Sequence, residues 1–399
     1  MGRSVAIQRL SDSEGALAPR QAGLLEYQMV MQMKGRTVRH IAAAVVVIML
    51  ASALAGCRGT RGKYDKHSDS LFDVFNTLIT VVAYTRSEQE FDSCFATMRG
   101  RFRELHQLYD IYNDYNGVNN VKTINDNAGV QPVKVEKDII DLLLFAKDWY
   151  RRTGGKTNVA MGAVLRIWHY YREEGQDDPE NAKLPPMEDL REAAKHTDID
   201  NVMIDVENST VYLADPKMSL DVGAVAKGYA TEIVAREMAE AGLKSALIGA
   251  GGNIRAIGKP LDGVRERWGV GIQNPDESIV PDERNVLDVI FINDSSVASS
   301  GDYMRYYVVN GRVLHHIIDP ATLMPADYYR AVTVMTAHAG VADFLSTTLF
   351  LLPFEQSRAL AESLDGVEVV WVMPDGEVKA TDGMKAIMRS QGASGASAR

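Results

Sequence analysis

Cysteine is almost missing from this sequence: Cys57 and Cys94 are the two present in 399 residues. Two thiols cannot form a disulfide framework or a cysteine-rich metal cage. Dense blocks of Lys and Arg are missing as well; 43 basic residues stand against 53 acidic ones, a formal charge of −10. A polyanion groove needs a concentrated basic face, so nucleic acid is excluded as a partner. No internal repeat at the ~20–50-residue period of solenoids is found. No apolar run reaches the ~20 residues that cross a bilayer as a helix. What is present is an ordinary globular balance, 46% apolar and 24% charged, long enough for two or three domains at ~100–200 residues each.

The N-terminal region reads as an address. Lys34, Arg36 and Arg39 precede an apolar run from Ile41 to Leu54, which ends Leu54-Ala55-Gly56-Cys57. A basic flank, a short apolar stretch and small residues at its end describe a signal peptide. The last four residues resemble the bacterial lipobox, after which the cysteine is lipidated, with palmitate among its acyl chains, and becomes the mature N-terminus. The alternative is an uncleaved anchor helix with an incidental thiol. Residues 1–30 carry Asp12, Glu14 and Glu26 and read as an upstream extension, with Met29, Met31 and Met33 as alternative starts. On this reading 31–56 is the signal peptide, 57–70 a polar tether, 71–388 the folded domain and 389–399 a disordered tail rich in Gly, Ala and Ser. The mature protein is then expected on the outer face of the bacterial cell membrane, held by lipid, with Cys94 a lone buried thiol.

Within the folded part, Thr77–Tyr84 reads as a strand, and Glu88–Tyr109 and Val135–Arg152 as amphipathic helices. Asn113–Gly129 and Glu173–Pro186 read as loops, and Glu188–Ala194 as a short helix. Val202–Asp205 and Thr210–Leu213 form an expected hairpin, and Val225–Ala241 a helix. Ser245–Gly258, Trp268–Gln273, Val286–Ile292, Met304–Val309, Val332–Met335 and Val367–Val372 read as strands, and Val341–Leu351 as a buried helix. Runs of strands with few helices between them predict α+β with largely antiparallel sheets and flanking helices.

Four segments carry chemistry. Ser219–Tyr229 (SLDVGAVAKGY) joins a strand to a helix with small residues, which lets a ligand approach the backbone. Lys227 falls in the first helical turn, where a cation is unfavourable unless an anion sits opposite; a phosphate would fit, and an ordinary turn capped by Asp221 would also account for it. Ala246–Ile254 (ALIGAGGNI) tempts a dinucleotide reading, but Ile254 stands where the third glycine belongs and a strand follows, not a helix. It also lacks Gly-Lys-Ser/Thr, so its glycines mark a bulge or a close approach by a ligand. Val297–Tyr303 (VASSGDY) and His315–Pro320 (HHIIDP) could pair Ser300 with His316, yet the Gly-x-Ser-x-Gly elbow is absent. Adjacent strand histidines face opposite ways, so His315 reads as exposed, and His316 as either functional or structural. In Ala339–Phe350, Asp343 and Thr347 lie one turn apart. An unpaired buried carboxylate is costly. A hard cation such as Mg²⁺ would resolve it, and so would simple local hydrogen bonding.

Taken in order, SLDVGAVAKGYATE, LIGAGGNI, VASSGDYMRYY, HHIIDPATLMPA and ADFLSTTL resemble the ApbE family of FAD:protein FMN transferases, from about Asp73 to about Lys385. The resemblance implies a T-fold-like α+β architecture and a Mg²⁺-dependent enzyme. Such an enzyme moves FMN from FAD onto a Thr or Ser hydroxyl of an acceptor protein bearing Ser/Thr-Gly-Ala-Ser/Thr, and releases AMP. It implies metal ligation by Asp343, Thr347 and Ala224, and FAD contacts by Asp221, Lys227 and Ile318. The segment Asn158-Val159-Ala160, with Tyr112 and Phe75, would also contact FAD. His316 and Lys227 would act in catalysis. A Mg²⁺-dependent FAD pyrophosphatase and a non-catalytic, lipid-anchored flavin-binding protein are the competing readings. Ser394–Ser397 (SGAS) is similar to an acceptor core but lacks the acidic residue upstream, and reads as chance.

Overall fold

The computed structural model describes residues 63–276 and 285–396. Cys57 and the expected upstream extension and signal peptide lie outside the described residues. Of the described residues, one compact unit comprises 63–272 with 288–396, and 273–276 with 285–287 belong to a second. In the second, Asn274 N–H donates to the Asn285 carbonyl at 2.9 Å. No helix among the described residues is long and apolar enough to cross a membrane.

The strands are β1 (Asp65–Val74), β2 (Thr77–Thr85), β3 (Val133–Lys134), β4 (Val202–Asp205), β5 (Thr210–Leu213), β6 (Ala246–Ala250), β7 (Asn253–Ile257), β8 (Trp268–Gln273), β9 (Val286–Ile292), β10 (Ser296–Gly301), β11 (Tyr306–Val309), β12 (Arg312–His315), β13 (Ala331–Thr336), β14 (Glu368–Val372) and β15 (Val378–Ala380). The helices are α1 (Glu88–Tyr109), α2 (Val121–Asp126), α3 (Lys137–Arg152), α4 (Gly162–Asp177), α5 (Met187–Ala194), α6 (Ala226–Glu240), α7 (Ala339–Phe350), α8 (Phe354–Glu362) and α9 (Asp382–Lys385). An eight-stranded sheet, β1-β2-β6-β7-β10-β13-β14-β15, is antiparallel at every pairing. The α+β, antiparallel expectation therefore holds.

The core is one apolar body joining the sheet to α1, α3, α6 and α7, with Phe102, Leu105, Leu142, Phe344 and Phe350 fully buried. Apolar residues of α1 recur at Phe91, Phe95, Met98, Phe102 and Leu105, the spacing of a single buried stripe. Helix α7 is buried almost all round, packed between α6 and strands β10 and β13. A satellite core gathers Met161, Val164, Trp168, Leu314, Ile318 and Leu323 where α4 and α5 meet the β11–β12 hairpin.

Several expectations need correction. The supposed tether becomes strand at Asp65: Asp65 lies opposite Thr85 and Leu71 opposite Ile79. An edge strand exposes most of its side chains, so its polar sequence imitates a linker. Asn113–Gly129 contains α2, started by a reciprocal cap between Asn120 and Thr123. Glu173–Pro186 begins inside α4, which the sequence reading overlooked. Ser245–Gly258 is two strands, β6 and β7, turned at Gly251 (φ 55°) and Gly252 (φ 95°). Two left-handed glycines make a tight hairpin rather than a bulge. Strand β10 was also not anticipated, and the strand expected at the two histidines is β12, which ends at His315.

His315 is 5% exposed, not a surface residue. Its Nε2 donates to the Ala326 carbonyl at 2.6 Å and its Nδ1 accepts from Ile317 N–H at 3.2 Å. The tail expected to be disordered is ordered as far as Ala396. Arg389–Gln391 forms a 3-10 turn. The Gly395 carbonyl accepts from Glu266 N–H at 2.7 Å, and a Cβ on Gly395 would meet Phe291 at 3.1 Å. Its glycine fits a confined path that composition alone cannot reveal.

Candidate active site

The loop from Ser219 to Val225 is held from two sides. Asp221 N–H donates to the Val159 carbonyl at 2.8 Å and Gly162 N–H to the Ser219 carbonyl at 2.9 Å. Asn125 clamps Leu220, donating to its carbonyl at 3.0 Å and accepting from its N–H at 2.7 Å. A Cβ on Gly162 would lie 2.4 Å from the Ser219 carbonyl, so only glycine permits this approach. Asp221 Oδ1 accepts from Gly223 N–H at 2.8 Å, closing a local turn. The loop then enters α6, with Ala224 two residues before it.

Helices α6 and α7 meet at the candidate metal position. Gly228 N–H donates to Asp343 Oδ2 at 2.8 Å. Burial pushes the Asp343 carboxyl above its ordinary value, against the opposing pull of Lys227, the Gly228 amide, Asn253 and Arg305. Asp343 is 7% exposed, and desolvation of this kind disfavours the charged form. Lys227 Nζ also reaches the Gly223 carbonyl, at 3.2 Å. Thr347, one turn beyond Asp343 and only half-buried, has its Oγ1 3.5 Å from Ser300 Oγ, which in turn lies 2.9 Å from Ser346 Oγ. The result is a polar seam of hydroxyls and one carboxylate inside an otherwise apolar helix packing.

These donors fit a hard divalent ion. Mg²⁺ favours one or two carboxylates, neutral oxygens and substrate phosphates, and the seam supplies a buried carboxylate with hydroxyls beside it. Asn253 adds a buried Oδ1 with no hydrogen-bond partner among the described residues. No group of three or more His, Cys, Asp and Glu suited to a metal occurs among the described residues, so oxygens of other kinds must complete any coordination.

Lys227 and Arg305 link this seam electrostatically to a second group of charges. His316 Nδ1 lies 3.2 Å from the Met304 carbonyl. A carbonyl can only accept, so Nδ1 carries the hydrogen and Nε2 keeps its lone pair. Burial, with Arg305, His315, Arg172 and Lys227 nearby, holds the imidazole well below its ordinary value. Arg172 Nη2 donates to His169 Nδ1 at 2.5 Å, and the His169 ring lies 5.2 Å from the Tyr112 ring. Tyr112 feels Asp221, Arg172 and Arg305 together. Arg305 sits at φ 49°, a left-handed backbone rarely adopted by side-chain-bearing residues.

Lys227 and Arg305 thus act on both Asp343 and His316, and Arg305 and Arg172 connect His316 in turn to Tyr112, which also feels Asp221. Phe75 reaches this group less directly. It and Asn76 turn β1 into β2 at φ 52° and 49°, and its ring packs edge-on against His106, 5.4 Å away. The turn adjoins the Gly251 hairpin, where a Cβ on Gly251 would strike Thr77 Oγ1 at 2.2 Å.

Other expected contacts are used inside the fold. Asn158 donates to the Thr197 carbonyl at 2.8 Å and accepts from Ala160 N–H at 2.8 Å, so each end of its side chain is held within the fold. Val159 and Ala160 are buried. The Ile318 side chain lies in the satellite core. Asp319 pairs with Lys156 at 3.1 Å. Sequence reading missed Arg172, Arg305, His169, Ser346 and Asn253, and considered Ser300 only as a nucleophile beside His316. His169 and Arg172 are three apart on α4, a spacing that could have flagged a shared face; isolated arginines in a loop give no such signal. A cleft of about 490 Å³, lined by Arg166, Glu192, His196 and Lys217, touches the loop at Ser219 but includes none of the gathered residues.

The model of the ApbE family matches residues 75–371. The FAD:protein FMN transferase of Treponema pallidum is 30% identical over 351 residues, covering 85% of this chain and 93% of that protein. The FAD:protein FMN transferase of Haemophilus influenzae is 32% identical over 242 residues, covering 60% of this chain and 67% of that protein. The crystal structure of the ApbE protein of Thermotoga maritima superposes with a TM-score of 0.69 at 26% identity, covering 81% of this chain and 99% of that one. With most of its length matched by the family model and by a relative at this identity, the chain belongs to the ApbE family.

Proposed function

We propose that this chain is a Mg²⁺-dependent FAD:protein FMN transferase. Its acceptor is a protein hydroxyl in a Ser/Thr-Gly-Ala-Ser/Thr segment, and its place is the outer face of the cell membrane, where Cys57 carries lipid. The carrying observation is a buried carboxylate, Asp343, met by a helix-start amide and flanked by Lys227, with an acceptor-ready imidazole at His316. Family membership and the names of the relatives support the reaction class.

In the reaction, the acceptor oxygen bonds to the FMN-side phosphorus of FAD, the bridging P–O bond breaks, and AMP leaves with the electron pair. Positioning and charge neutralisation supply most of the rate in such transfers. Asp343 and Thr347, with the Ala224 carbonyl, would hold the Mg²⁺, which supplies Lewis-acid neutralisation of phosphate charge. Lys227, Arg172 and Arg305 balance the diphosphate. His316 Nε2 takes the hydroxyl proton. Its depressed basicity comes from burial and from the cations around it, and a bound diphosphate cancels the second of these, moving the imidazole towards the basicity a general base needs.

The test is incubation with FAD, Mg²⁺ and an acceptor domain, read by in-gel flavin fluorescence and intact mass. Covalent FMN with released AMP is expected. Free FMN and AMP without adduct would make the chain a pyrophosphatase, and unchanged FAD a binding protein. For the location, Cys57→Ala is expected to release the protein from the membrane fraction, and retention would overturn the lipid anchor.

A further inference from the structure

Strand β7 brings a residue to the seam that the proposed ligand set leaves out. Asn253 is 3% exposed and stands directly after the Gly251-Gly252 turn, paired across the sheet with Ala250 and Ala298. Its side chain hydrogen-bonds to Asp343. Of the two amide ends it is Oδ1 that is left buried without a partner among the described residues, so the amide nitrogen is the end that meets Asp343. An unsatisfied buried carbonyl costs on the order of 1–3 kcal/mol.

The placement is rigid. Two residues on, and so on the same face of β7, Arg255 pairs with Glu232 of α6 at 3.1 Å. Glu232 in turn accepts the first N–H of α7, from Ala339, at 2.7 Å. The strand that carries Asn253 is therefore tied to both helices that form the seam through Arg255 and Glu232, and its bare oxygen cannot swing to water without breaking the contact with Asp343.

We infer that Asn253 belongs to the cation site: its Nδ2 orients the Asp343 carboxylate, and its Oδ1 supplies a further oxygen to the divalent ion. This rests on the proposed metal site at Asp343. An amide oxygen suits a hard cation, adding a ligand without adding charge. It also explains why an asparagine fills a buried position between alanines and apolar helices.

Binding of Mn²⁺, followed by the electron paramagnetic resonance of the free ion with ADP present as a non-transferable diphosphate, tests this without turnover. Asn253→Leu, similar in size, is expected to weaken binding roughly tenfold or more. Asn253→Asp is expected to bind at least as tightly as the parent at neutral pH, since an oxygen is kept. Circular dichroism establishes that each variant is folded, and should Asn253→Leu fail to fold, Asn253→Asp decides alone. Parental affinity in folded Asn253→Leu, or loss of binding in folded Asn253→Asp, overturns the role of Asn253. Asp343→Asn separates the two claims. If it loses Mn²⁺ while Asn253→Leu keeps it, the metal site stands and Asn253 is not part of it. If Asp343→Asn binds as the parent does, the metal site itself is misplaced and the inference falls with it.

Discussion

The amide of Gly228 donates to Asp343 Oδ2 at 2.8 Å, and a Cβ on Gly228 would stand 2.4 Å from both Asp343 Cβ and the Ala339 carbonyl. Two helices approach this closely only where one has no side chain. Gly→Ala inside a helix ordinarily gains ~1 kcal/mol. Here the clash wins, and Gly228→Ala is expected to destabilise the fold by about 1–3 kcal/mol. Because the carboxylate must shift, transfer is expected to fall roughly 100-fold. Thermal unfolding together with initial rates checks both.

Asp343→Asn keeps the shape of the seam and removes its charge. Transfer is expected to drop about 10²–10³-fold. The fold without ligand is expected to be at least as stable, because a buried carboxylate that burial disfavours has been neutralised. A loss of stability with activity retained would mean that Asp343 is structural.

Lys227→Met and Arg305→Met test the cation group that surrounds His316. Each removed charge contact to a diphosphate costs about 1.5–3 kcal/mol when well formed. Lys227→Met is expected to weaken FAD binding roughly tenfold or more; Arg305, on an exposed loop, should cost less because water and salt screen it. Fluorescence titration of FAD at several ionic strengths reads the change, with a shallower salt dependence in both variants.

His315 gives the fold a pH dependence separate from catalysis. Burial lowers its value from the ordinary 6.5 to about 4. A lowered imidazole favours the folded state above its unfolded value, and that contribution is lost as the pH falls from about 6.5 to about 4. The difference corresponds to about 3 kcal/mol. His315→Gln, which can keep the donation to Ala326 but not the acceptance from Ile317, is expected to lose about 1 kcal/mol at neutral pH and to show a flatter profile. Urea midpoints from pH 7 to pH 4 measure it.

The edge strand makes a fifth prediction. A chain starting at Lys63 keeps β1 and is expected to fold. One starting at Leu71 strips most of β1 from β2 and exposes a long unpaired edge, which promotes association between copies. Light scattering of the two during refolding distinguishes them.

Much of this fold is legible in the sequence because its long helices repeat apolar residues at helical spacing. Glu88–Tyr109 is recovered residue for residue, and the β4–β5 hairpin likewise. What escapes has physical reasons. Asp65–Ser70 is polar because one edge of β1 faces water. Strand β10 reads VASSG, too small and polar to announce itself, because Ser300 serves the seam with α7 and Ser299 meets Thr333 of β13. At the site, Asp343 and Lys227 are legible because each is locally out of place, an acid in an apolar helix and a base at a helix start. Arg305 and Asn253 are not, since nothing local is wrong with them. Their meaning comes only from what the sheet sets beside them.

The pairing of β2 with β6, Ala83 opposite Ala246, has a kinetic consequence. All of α1 to α6 must be accommodated between two neighbouring strands, and Asp343 arrives later still. Chains dominated by such distant contacts assemble slowly. If the proposed site is right, a growing polypeptide that has not yet delivered α7 lacks Asp343, so activity is expected only once nearly the whole length has emerged, and a fragment lacking its last quarter is expected to be inert however well its helices form.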